Sequence, residues 1–186
     1  MFQLSVVDHT RLSFATVAGA YERHAEAASG LARWSWYLKL ALVSLLAVAS
    51  VLGLVALQRG RAFQIAATVT TAIAFVGCAV HIALDLEARI YGHRSSAARF
   101  WLIAEKYRAL LADVHDQLLD MPALADRRDA LMHEARAAFE HAPPADRQTY
   151  DIARAALSGT GGRGYSEDDI DALLPASLRR PKDAAA

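Results

Sequence analysis

Gln64, Thr68, Thr71, Cys78, His81 and Asp85 are the residues of this chain whose types and spacing suggest chemistry. With Ala74 among them they recur at steps of four, three, three, four, three and four, so one helix carries them all on one face. The opposite face carries Ile65, Val69, Ile73, Val76 and Val80. His81 and Asp85 stand one turn apart, close enough for a hydrogen-bonded pair that responds to pH. The helix is no ordinary amphipathic one, because the 23 residues from Ala62 to Leu84 contain no Asp, Glu, Lys or Arg. Polar side chains at depth in a bilayer face protein or water, since exposure to lipid is costly. Two readings follow. The line is a pore-lining or gating face in an oligomer, or it packs against a neighbouring span through the small residues Ala47, Ser50 and Gly53.

The other routes to chemistry are poorly supplied. His115–Asp116 and His133–Glu134 are adjacent in sequence and point in different directions on a helix, so neither gathers a metal ion. Cys78 is the one cysteine and lies within an apolar run, which excludes disulfide frameworks and makes a poor nucleophile. No serine has a histidine and an acid suitably spaced around it, and the glycines from Gly159 to Gly164 follow no strand. The expectation is a protein that is not an enzyme and takes no metal or cofactor.

The elements that position the polar line are two apolar runs. Leu40 to Leu57 has 18 residues with only Ser44 and Ser50 polar, a helix of about 27 Å. Four residues, Gln58 to Arg61, separate it from the second run, whose helix of about 34 Å crosses a bilayer with some tilt. Spanning helices are therefore expected at about 36–57 and 62–84, since a segment in lipid must satisfy its own backbone. A pair of buried helices in a water-soluble bundle is the competing reading. The first run begins too deep in the chain, and is too long, for a cleaved signal peptide, so a retained span is expected.

Charge gives the orientation. Arg23, Arg33 and Lys39 precede the first span, and Arg89, Arg94, Arg99 and Lys106 follow the second, against Arg59 and Arg61 in the turn. Seven against two favours both termini in the cytoplasm and the short turn outside, with Trp34, Trp36 and Tyr37 as anchors at the inner interface. The net charge is zero, and Arg127, Arg128, Arg136 and Arg147 alternate with acids, so no nucleic-acid partner is expected.

Outside the spans the pattern is helical throughout, with no useful alternation of period two. A first helix over about 10–32, capped near Asp8 or Thr10, has Phe14, Ala18, Tyr21, Ala25, Ala28 and Ala32 as its stripe and Arg11 off it. Gly30 is a candidate softening point before the span. A helix over 87–119 has a heptad-like seam of Ile90, His93, Ala97, Phe100, Ala104, Tyr107, Leu111, Val114 and Leu118, which closes within the chain or between copies. Helices follow over 123–141, behind Pro122, and over 145–157, behind Pro143 and Pro144. These elements form one domain over 8–158. Residues 159–186 are read as a glycine-rich linker, a short helix over 167–174 capped by Ser166 and Asp169, and a disordered tail. The fold class is all-α, a transmembrane helical hairpin with flanking cytoplasmic helices in a bundle or coiled-coil-like stalk.

The layout carries a resemblance. Arg33-Trp34-Ser35-Trp36-Tyr37 enters the first span. After the second come Asp85-Leu86-Glu87-Ala88-Arg89, His93-Arg94, Arg99-Phe100-Trp101 and Glu105-Lys106-Tyr107-Arg108-Ala109-Leu110-Leu111. Over residues 8 to 158 the chain resembles the SLATT family, the two-transmembrane effector domains associated with SMODS nucleotide synthetases and SLOG sensor domains in prokaryotes. The resemblance implies a membrane effector of a conflict or defence system that assembles through its helices and opens pores. It also implies a trigger from a separate protein or a diffusible signal, with a separately encoded nucleotide-signal synthetase or sensor as the candidate partner, since neither domain is found in this sequence. The rival expectation is a membrane anchor or adaptor whose cytoplasmic helices recruit a partner.

Overall fold

In the computed structural model, residues 5–144 and 167–179 are described. They form helices α1 (Val6–Arg59), α2 (Arg61–Leu84), α3 (Leu86–His115), α4 (Met121–His141) and α5 (Glu167–Ala172), then a 3-10 turn, Ala176–Leu178. No strand occurs among the described residues, so the expected all-α class holds. The expected helix over 145–157, the glycine-rich linker and Ser166 lie outside the described residues. The chain divides into two compact units: residues up to Glu26 together with those from Gly92 onward, and Ala27–Tyr91.

The helix ends explain the boundaries. The α1 helix begins earlier than Asp8 or Thr10, because Ser5 caps it: its hydroxyl accepts from the Asp8 backbone N–H at 3.0 Å and donates to the Asp8 carboxylate at 2.8 Å. It shows no break at Gly30, so the expected cytoplasmic helix and first span are one element. Glycine in mid-helix costs only about 1 kcal/mol, which flanking helix formers absorb. The α2 and α3 helices are separated at Asp85, whose φ of 43° is left-handed. The α3 helix stops at His115, short of the expected 119. Gln117 turns left-handed (φ 57°), its N–H bonds the Val114 carbonyl, and the Leu118 N–H bonds that of Asp113, a Schellman ending. Leu118 is thereby 70 % exposed and leaves the seam. The α4 helix begins at Met121, where the Asp120 side chain accepts from the Ala123 N–H at 2.9 Å.

In the first unit the α3 seam closes within the chain. Phe100, Ala104, Tyr107 and Leu111 are buried in one cluster with Phe14, Ala15, Val17 and Ala18 of α1, Ala135 and Ala138 of α4, and Ile170 and Leu174 of the C-terminal segment. Tyr21, expected on the α1 stripe, is exposed, while Arg11, expected off it, is only 6 % exposed. The burying partner is the C-terminal segment, which helical periodicity in α1 cannot foresee. His24 and His93 add a polar pair to this unit: both are buried, with their Nδ1 atoms 3.0 Å apart and the Phe100 ring stacked on His24.

The second unit is the hairpin. In their most apolar windows only 11 % of residues in the first long helix and 6 % in the second are buried, which disfavours the core of a soluble bundle. Val43, Val51, Leu54, Ile65, Val69, Ile73, Val76 and Val80 are all exposed, as a lipid-facing surface requires.

Candidate functional site

The candidate site is the α2 face in the hairpin. Its covered line comprises Ala67, Thr70, Ala74, Gly77 and His81, at steps of three and four, with Ala74 fully buried. The matching line on α1 is Ser35, Leu38, Leu42, Leu45, Ala49, Leu52 and Ala56, again at alternating three and four. Small residues let the backbones approach. At Gly77 an added Cβ would lie 2.6 Å from Leu42 Cδ2, so glycine there admits the leucine. Ala47 and Ser50, expected to form the packing surface, are exposed, and the Ser50 hydroxyl donates to the Leu46 carbonyl at 2.8 Å.

This packing divides the polar line. Cys78 and His81 are half-buried beside Ala74, whereas Gln64, Thr68, Thr71 and Asp85 are exposed. The covered line shares Ala74 and His81 with the expected face and is otherwise offset from it by about one residue. Thr68 donates to the Gln64 carbonyl and Thr70 to that of Ala66, each at 2.8 Å, so both hydroxyls are satisfied within their own helix. Asp85 is the left-handed C-cap of α2 and stands out of helical register with His81. No hydrogen bond joins the two, and His81 Nδ1 is buried without a partner. The pair expected from their spacing does not form.

The hairpin is tied instead by a cluster that the spacing did not single out. Ser35 Oγ donates to Glu87 Oε1 at 2.9 Å, and Lys39 Nζ to the same oxygen at 2.6 Å. The Lys39 hydrogen bond first, and that of Ser35 second, hold the Glu87 carboxyl below its usual range. Its charge therefore persists at neutral pH, and the cluster loosens only as pH falls through that depressed value. The available signal was Ser35 and Lys39, one turn apart, with Glu87 the first Glu after the spans. Trp34, Trp36 and Tyr37 are exposed around this cluster, together with Tyr91, a fourth aromatic that the belt reading missed. Among the described residues no group of three or more His, Cys, Asp or Glu could hold a metal ion.

Comparison with known proteins places these features. No curated protein and no solved structure matches the chain. The model of SMODS and SLOG-associating 2TM effector domain family 4 matches residues 8–168. That stretch contains both lipid-facing helices, the seam between them and the Ser35–Glu87–Lys39 cluster. With most of its length matched, the chain belongs to the SMODS and SLOG-associating two-transmembrane effector domain family, family 4, and is a membrane protein of the effector class.

Proposed function

We propose that this chain is an inner-membrane effector of a prokaryotic conflict system that oligomerises and permeabilises the membrane, with both termini in the cytoplasm. The observation that carries the reading is the flank of α2 bearing Gln64, Thr68 and Thr71, which the partner span leaves uncovered. A single hairpin would present these groups to lipid, whereas a ring of hairpins turns them toward one another around water. Cys78 and His81, half-buried at the edge of the contact with the first span, and the exposed Asp85 beyond them form the gate in this reading. The trigger in this reading is a separately encoded nucleotide-signal synthetase or sensor.

Titrated expression in a bacterium tests the pore, with membrane potential and uptake of an impermeant dye read against inserted protein. Depolarisation should rise with the amount inserted. Thr68→Leu with Thr71→Leu should abolish leakage while leaving insertion unchanged, because two hydroxyls are replaced by hydrocarbon on the water-facing flank. Leakage that persists in that variant removes these residues from the lumen.

An anchor or adaptor role is the second reading, and one feature favours it. The α3 and α4 helices leave an open cavity of about 330 Å³ lined by Lys106, Leu110, Asp113, Arg127 and Leu131, a surface suited to a partner helix. Replacing residues 36–84 with an unrelated two-span anchor should preserve an adaptor's activity and abolish a pore's.

A further inference from the structure

The C-terminal segment lies mostly beyond the matched family domain, which ends at residue 168, yet it supplies part of the core of the first unit. Ile170 and Leu174, four residues apart on one face, are buried in the cluster containing Phe14 and Val17. Between them Asp171 pairs with Nη2 of the buried Arg11, and Arg11 Nη1 donates to the Leu178 carbonyl at 3.0 Å. Arg179 Nε folds back onto the Leu174 carbonyl at 2.9 Å and closes the segment on itself. A six-residue helix does not persist alone in water, so the groove on α1 orders it.

Two features make this contact exchangeable. It is narrow: a cavity of about 390 Å³ lined by Glu105, Arg108 and His115 of α3 and by Pro175, Ser177 and Leu178 separates the outer edge of the segment from α3. It is also widely tethered, because 25 residues, 142–166, join α4 to α5. A chain of that length reaches up to about 80 Å, several helix diameters.

We propose that the groove around Arg11 is a recognition site for an apolar–acid–apolar helical segment, and that its occupant in the assembled protein is the 167–179 segment of a second copy. The isolated chain fills its own groove, and association exchanges the segments, so that each subunit clasps the next. This inference rests on the oligomer proposed above.

Energy transfer between labelled full-length chains in vesicles tests it, on a Cys78→Ser background. The donor sits at Ser177→Cys in one chain and the acceptor at Glu22→Cys in another, both exposed positions. Transfer between chains should be lost when the donor chain carries Asp171→Arg. It should return when the acceptor chain also carries Arg11→Glu, which restores an ion pair of reversed sign. Labels at Gln58→Cys report association of the spans independently of the tail, and helix content and insertion are checked for each variant. If the Gln58 labels report association but tail transfer appears only when both labels share one chain, exchange is overturned and the oligomer stands. If the Gln58 labels report none, the chains do not associate and both readings fall.

Discussion

The buried contact between His24 and His93 requires one Nδ1 to donate and the other to accept, so at most one proton lies between them. Burial first, then His93, then Arg23 hold the His24 pKa below its usual 6.5. A base whose pKa is depressed on folding takes up its proton in the unfolded chain first. Stability therefore falls as pH drops through the ordinary histidine range, and stops falling below the depressed value. His9, lowered first by burial and then by Arg128, acts with the same sign. The thermal midpoint in detergent, followed by circular dichroism, should decline between about pH 7.5 and 5.5. His24→Phe with His93→Leu should lessen that slope. An unchanged slope in the double variant would mean that the pair does not titrate in this range. The sequence revealed His93 as a seam position, but nothing in local spacing points across 69 residues to His24.

Helical elements were legible wherever burial follows period alone. The α3 seam from Ala97 to Leu111 lies buried as its spacing requires, and the two long uncharged runs lie within α1 and α2. Failures came where a distant segment or a backbone turn intervened. Arg11 is buried by residues 160 or more positions away, and Asp85 left its helix because one residue in left-handed geometry resets the register. The polar line on α2 was legible as a set, but which edge of it the other span covers depends on the approach at Gly77. Substitutions at two positions test these points. Asp85→Gly should be neutral or slightly stabilising, whereas Asp85→Val should cost about 1–2 kcal/mol, read as a lower midpoint in detergent. Gly77→Ala should be tolerated, because the clash falls on the end of the Leu42 side chain. Gly77→Leu should disrupt hairpin packing and reduce protein recovered from membranes.

For the whole molecule, the decisive property is the charge around the spans. The proposed orientation rests on it: seven cations on the flanks against two in the turn favour a turn that faces outward. Lys39 bonds to Glu87, yet it still counts toward orientation, since acids contribute little to that rule. In intact cells an impermeant thiol reagent should label Gln58→Cys and spare Ser177→Cys, and the pattern should reverse in inside-out vesicles. Labelling of Ser177→Cys in intact cells would invert the assignment and place the Arg11 groove outside the cell.

The buried guanidinium of Arg11 also constrains how the sequence can drift. Its partner Asp171 lies past the end of the matched domain, so Arg11 depends on an appendage that a deletion could remove in a single event. A lineage that lost the appendage would uncover the cation and lift the requirement for it. One that kept the appendage but changed Asp171 to a neutral residue would deprive a buried charge of an acidic partner, which selection disfavours. Across relatives aligned over α1, arginine at position 11 should therefore be inherited together with an acid at 171, and the two should disappear together.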